Sequence, residues 1–135
     1  MLEPFTVENK DGEKFLVTCK HDFRYWELTI HTQTNEHVGF LLFAPIDNTD
    51  SVKIFDFQIV PKFWRNNIGT QIFYKLFSLF EERGLKSIVG ICKSSNRSLS
   101  ETENLAKWYE KLGFVLTRER KKNVPGYMGK LYKKL

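Results

Sequence analysis

One stretch constrains this chain more than any other: Phe55 to Phe73, FDFQIVPKFWRNNIGTQIF. Its first part alternates. Asp56 and Gln58 fall on one side and Phe57 and Ile59 on the other, the two-residue period of a strand. Pro61 has no N–H for a ladder and stops it. A polar turn follows, and from Ile68 onward Ile72, Phe73, Leu76, Phe77 and Phe80 recur at helical spacing. A strand that becomes a helix through a tight turn aims unsatisfied backbone N–H groups at one point, which favours phosphate groups.

The residues before this stretch read as strand. Phe5-Thr-Val and Phe15 to Cys19 flank Asp11-Gly12, a strong hairpin dipeptide. Phe23 to Thr32 is rich in aromatic and β-branched residues, and Val38 to Phe43 is a short apolar strand stopped by Pro45. Beyond the stretch, Arg83-Gly84 closes the first helix. Leu85 to Cys92 is a strand, expected as a parallel neighbour of Phe55–Val60 because a helix joins them. Ser100 and Glu103 have capping-box spacing at the start of a second helix, which runs to about Lys111 and stops at Gly113. Phe114–Glu119 and Tyr127–Leu135 form a last hairpin, with Pro125-Gly126 as the centre of a type II turn. The expected order is ββββ-α-β-α-ββ: a mixed α/β (α+β) fold with a central, mostly antiparallel sheet and two main helices.

At 135 residues with 41% hydrophobic content, a single domain over residues 1–135 with a real core is expected. No apolar run is long enough for a membrane span. The N-terminus has no secretory pattern, and Cys19 and Cys92 have no metal spacing, so reduced thiols in the cytoplasm and no metal are expected. Charge is uneven. Residues 1–60 carry 5 Lys/Arg against 10 Asp/Glu, and residues 61–135 carry 16 against 6, a net −5 and +10. The basic half suits an anion and the acidic half a cation.

Val60-Pro61, then Ile68-Gly69-Thr70, and 40 residues beyond Gly69 the phrase Trp108-Tyr109-Glu110-Lys111-Leu112-Gly113-Phe114 together resemble the GNAT N-acetyltransferase superfamily. The resemblance covers roughly residues 38–135 and is strongest over 54–114. It implies an acyl-CoA N-acyltransferase-like fold, acetyl-CoA as co-substrate and a primary amine as acceptor. The family's turn, Gln/Arg-x-x-Gly-x-Gly/Ala, falls on Trp64 to Gly69. Only Gly69 matches. Trp64 stands where a basic or amide residue is usual, and Asn67 where the first glycine is usual. Asn tolerates positive φ better than other non-glycine residues, so the turn can still form.

The resemblance further implies that the pyrophosphate meets the amides of Asn66, Asn67, Ile68, Gly69 and Thr70, with Arg65 able to supply a cation. Pantetheine lies between two splayed strands, Phe57–Val60 and Ile88–Cys92, and pairs with the backbone of Ile59 and Val60. Lys62, Arg65, Lys93 and Arg97 are available for the 3′-phosphate. Asn96, or Asn104 in its place, sits near the cofactor. Tyr109 takes the position of the acid that protonates the departing thiolate, for which a phenol pKa near ~10 is suitable. Asp56 is the candidate base. Each has a bland counterpart: a core aromatic, a solvated carboxylate.

One departure concerns the acceptor. The family's N-terminal helices are replaced here by strands, which leaves the acceptor site open to a small amine, a lysine or a peptide N-terminus. Two other readings stand beside this one. The chain could be a non-catalytic CoA-binding or regulatory module, or, ranked last, a nucleic-acid binder using Lys121-Lys122 and Lys130 to Lys134. Monomer and homodimer are both compatible with the sequence.

Overall fold

The structure is a computed structural model. It describes residues 2–64, 66–93, 99–119, 121, 124 and 126–135, with residues 99 and 100 by backbone alone. The elements are β1 (Phe5–Glu8), β2 (Lys14–His21), β3 (Trp26–Thr32), β4 (His37–Pro45), β5 (Ser51–Ile59), α1 (Ile68–Glu82), β6 (Ser87–Lys93), α2 (Leu99–Lys111), β7 (Val115–Arg118) and β8 (Tyr127–Lys134). A 3₁₀ turn, Pro61–Phe63, links β5 to the α1 turn. The strands form one sheet in the order β1-β2-β3-β4-β5-β6-β8-β7. All neighbours are antiparallel except β5 and β6. The mixed α/β class is as expected. Five strands, not four, precede α1, because both arms of the Asp11-Gly12 hairpin are strands in their own right.

Topology places the helices. β5-α1-β6 and β6-α2-β7 both join parallel strands and both step the same way across the sheet. Such crossovers are right-handed, so both helices belong on one face. They meet there: Phe73 of α1 lies 5.5 Å from Trp108 and 6.2 Å from Tyr109 of α2, ring centre to ring centre. Val17, Leu28, Ile30, Leu41, Val52 and Ile88 line that side of the sheet and are fully buried. Each such side chain contributes roughly 1.5–3 kcal/mol on burial. Among the described residues no helix covers the other face.

β5 carries one irregularity that matters. Phe43 opposes Ile54 and Leu42 opposes Asp56, so Phe55 is an extra residue, a β-bulge. The bulge shifts the alternation by one. Val52 and Ile54 face the helices before it, and Phe57 faces them after it, 5.2 Å from Phe73 and 5.8 Å from Trp108.

Several local expectations hold. Gly12 has φ +78 in the first hairpin, where Asn9 Oδ1 accepts from the N–H groups of Asp11 and Glu13. Gly84 has φ +76, and its N–H donates to the Glu81 carbonyl at the end of α1. Two expectations are corrected. Phe23 is 93% exposed and lies outside β3. There the Asp22 carboxylate accepts the Phe23 N–H at 2.5 Å and the Asp22 N–H donates to the Tyr25 carbonyl at 3.0 Å, a turn in place of a strand. Ser100 lies inside α2 instead of capping it, and the Glu103 carboxylate is held by Arg118 of β7 at 2.9 and 3.1 Å. Pro125 lies outside the described residues.

Candidate active site

The parallel pairing of β5 with β6 runs only from Ser51/Ser87 to Lys53/Val89. Beyond it the strands separate, and the rest of β5 is bonded on its β4 side alone. Which backbone groups face the opening follows from register. Ile59 opposes Gly39, and the Val60 N–H donates to the Val38 carbonyl at 2.8 Å. Ile59 is therefore a non-hydrogen-bonded pair with Gly39, and its own N–H and C=O point away from β4, into the gap. Phe57, two residues back, points the same way. Val60 does not. Its N–H is bound to β4 and its carbonyl accepts the Phe63 N–H at 2.9 Å. The expectation that the Val60 backbone can pair with a ligand is thus corrected: alternation gives that place to Phe57.

Two cavities meet at this gap. One, about 410 Å³, is lined by Asp56, Gln58, Ile59, Val60 and Tyr109 and also by His37. The other, about 550 Å³, is lined by Asn66, Asn67, Ile68, Gly69 and Thr70. Phe57, Ile59, Trp64 and Leu105 border both. The open edge of β5 thus separates a mouth containing a carboxylate and a phenol from a mouth containing the start of a 15-residue helix.

That helix start is built as the sequence suggested. Asn67 caps α1 with φ 67 and ψ 8, the left-handed region, so it does the work of the usual glycine. No acidic residue occupies the first turn to neutralise the helix end. Gly69 is small for a reason. A Cβ there would meet the Trp108 ring at 3.0 Å and the Phe57 ring at 3.2 Å. The Thr70 hydroxyl accepts from Trp108 Nε1 at 2.9 Å, which fixes α2 against α1 beside the turn.

On the other side, Tyr109 is buried among Phe73, Trp108 and Phe114 and also borders the smaller cavity. Tyr109 thus packs as a core aromatic and also lines a cavity. Asp56 accepts a long hydrogen bond from Gln58 Nε2, 3.4 Å. The two come together as expected and face the same cavity.

Sequence reasoning did not find the role of Trp64. Its indole N–H donates to the Ile59 carbonyl at 2.5 Å, so it occupies an acceptor on the open strand edge. Nor did it find Lys10 and Lys111, which border the larger cavity together with Glu101. They arrive from the first hairpin and the far end of α2, and no local pattern marks them. Of the cations proposed from sequence, Lys62 is paired with Glu36 at 2.5 Å, and Lys93 borders the other cavity. Arg65, Asn96 and Arg97 lie outside the described residues. Asn104, the alternative to Asn96, borders the larger cavity. Among the described residues no cluster of His, Cys, Asp or Glu has metal-binding geometry, and no helix is long and apolar enough to cross a membrane.

Solved structures share the fold. PaiA N-acetyltransferase from Thermoplasma acidophilum, in complex with coenzyme A, superposes with a TM-score of 0.60 at 16% identity over 81% of this chain. This chain spans 60% of that protein's length. The ribosomal-protein-S18-alanine N-acetyltransferase from Escherichia coli gives 0.61 at 19% identity, covering 84% of this chain and 71% of that one. A GNAT family acetyltransferase from Elizabethkingia anophelis with acetyl-CoA bound gives 0.62 at 18%, covering 82% and 76%. No curated protein matches in sequence. The family model described as Acetyltransferase (GNAT) family matches residues 2–114. With a split strand edge, a left-handed turn into a helix and a matching family model over most of its length, the chain belongs to the acetyltransferase (GNAT) family.

Proposed function

We propose that this protein is an acetyl-CoA-dependent N-acetyltransferase acting on a primary amine. The observation that carries it is the open edge of β5: Phe57 and Ile59 point backbone groups away from β4 where two cavities meet, the Ile59 carbonyl meeting the Trp64 indole there. Solved structures of the same fold hold coenzyme A or acetyl-CoA, which supports the choice of co-substrate. The residues fit such a ligand. The amides at Asn66–Thr70 and the uncompensated start of α1 suit the pyrophosphate. Lys10 and Lys111 are placed to add charge near it. The edge of β5 suits the two amides of the pantetheine arm, taken up like an added strand. The Ile59 carbonyl, held in the free protein by the Trp64 indole, takes a pantetheine N–H instead, so the indole is displaced on binding.

When bound, the thioester supplies an acyl carbon with a thiolate as leaving group. The chain's own groups do the rest. A backbone N–H of Phe57 or Ile59 donates to the thioester oxygen and stabilises the charge that grows on it. Asp56 accepts the proton that the ammonium must lose, directly or through a water, before its nitrogen bonds to the acyl carbon. Tyr109 gives its proton to sulfur as the C–S bond breaks. The second proton on the nitrogen leaves as the amide forms, passing to the Tyr109 phenolate directly or through water, and Asp56 returns its proton to solvent. Holding the two reactants at adjoining mouths supplies much of the acceleration.

Release of free thiol from acetyl-CoA against a panel of amines, peptides and polyamines tests this. Amine-dependent release is expected. Tight binding of acetyl-CoA with no release against any amine would instead identify a non-catalytic CoA-binding module.

A further inference from the structure

The sheet face opposite the helices is bare among the described residues, and its β5–β7 half is not polar. Register places Lys53, Val89, Tyr132 and Val115 in one row across four strands on that face, with Ile91, Lys130 and Thr117 in the next. Phe55, pushed out by the bulge, joins them, its ring under Lys53 Nζ at 5.1 Å. Phe55 is 44% exposed, Ile91 43%, Tyr132 46% and Val115 63%. A contiguous apolar strip of this kind marks an interaction site. It is flanked by Lys53, Lys93, Lys130 and Lys134; the acids beside it are Glu119, 3.9 Å from Lys130, and Asp56 at the mouth itself.

The strip is continuous with the candidate acceptor mouth. Phe55, Ile91 and Lys93 belong both to it and to the wall of the cavity that holds Asp56 and Tyr109. From β5 to β7 is three interstrand spacings, about 14 Å, the length of about four extended residues. The exposed apolar residues near the mouth lie on this side of it. Across the mouth, toward β4, stand Gln58, the exposed His37 and Phe40, which is half-buried and adds no exposed apolar surface on that side. A ligand anchored at the mouth and extending one way only has its amine at a chain end.

We propose that the acceptor is the N-terminal amine of a polypeptide, and that about four residues following it lie across β6, β8 and β7. The apolar strip and its lysines select a segment that is apolar and acidic. This rests on the acetyltransferase reading above and names its substrate class.

The test is acetylation of short peptides with free N-termini, acidic-apolar or basic-apolar at residues two to five, beside a small primary amine. The acidic series is expected to be favoured by tenfold or more in kcat/KM, with the label on the terminal nitrogen. Tyr132→Glu and Val115→Glu, both outside the two cavities, are expected to raise KM for the acidic peptide by tenfold or more and leave the small amine unchanged. Lys130→Glu is expected to move preference toward the basic series, a rescue that loss of folding cannot mimic. Equal use of both series, label on lysine side chains, or surface variants that leave peptide KM unchanged would each overturn the proposal while the acetyltransferase reading stands. Loss confined to a dimer that these variants dissociate would assign the strip to a second copy and overturn it too. Transfer to no amine of any kind would overturn both.

Discussion

The two ends of β5 put one strand in opposite circumstances. At Ser51–Lys53 it is bonded on both edges, to β4 and to β6, and Ser51 Oγ lies 2.5 Å from Ser87 Oγ across the parallel pair. At Phe57–Ile59 it is bonded to β4 alone and borders two cavities. The bulge at Phe55 sits between them. A bulge increases local twist and re-aims the side chains beyond it, so the same strand closes the core at one end and opens at the other. A sheet edge left unpaired is a liability. The proposed acetyl-CoA site uses this edge, which lies beside a helix N-terminus and a buried phenol.

The comparison can be broken most sharply at Tyr109. Tyr109→Phe keeps the aromatic packing with Phe73, Trp108 and Phe114 but removes the hydroxyl. Turnover is expected to fall by about 10²-fold or more, with acetyl-CoA affinity within about twofold by calorimetry. An unchanged rate would remove the acid from the open end. Trp64→Phe comes next. It takes away the indole N–H that competes for the Ile59 carbonyl, a bond of about 1 kcal/mol net, so acetyl-CoA is expected to bind several-fold more tightly. Weaker or unchanged binding would mean that the indole does not compete.

The closed end is expected to behave differently. Ser51→Ala removes the Ser51–Ser87 bond and is expected to cost about 1 kcal/mol of stability, read as a drop of a few degrees in Tm, with kcat/KM unchanged. A large loss of activity there would erase the distinction between the two ends.

The Tyr127–Glu119 pair of the β7–β8 hairpin, which is not part of β5, gives the smallest effect. The Tyr127 hydroxyl donates to Glu119 at 2.7 Å, and this bond, with a smaller effect of burial, pushes its pKa up to about 12. Because the folded value lies above the ordinary phenol value near ~10, the stabilisation is fully present below that value. It is lost as pH rises through about 12. An absorbance titration of the 5 tyrosines should show one ionising late, and Glu119→Gln should bring it back toward the others.

Much of this was legible in the sequence because it depends on local pattern. The strand-proline-turn-helix order of Val52–Phe80 is written in period and in Pro61, and the left-handed turn in the choice of Asn67. The bulge was not legible: Phe55, Phe57 and Ile59 continue a regular alternation, so nothing in the pattern marks Phe55 as the extra residue. What the sequence did not disclose depends on long-range geometry. Trp64 looked like a lost phosphate ligand, because its partner is a backbone carbonyl that only the splay of β5 from β6 exposes. Lys10 and Lys111 reach the turn from elements far away in the chain. The expected Ser100–Glu103 box is absent: Arg118, on a strand later in the chain, holds the same carboxylate, and Ser100 lies within the helix.

The most direct measurement is amide hydrogen exchange along β5, read by NMR without and with acetyl-CoA. Phe57 and Ile59 are expected to exchange readily in the free protein and to become protected on binding, together with the amides of Asn66–Thr70. Ser51–Lys53 should stay protected in both states. Binding that leaves Phe57 and Ile59 unprotected, or that protects a different strand, would contradict the assignment of the open end of β5 as the acetyl-CoA site.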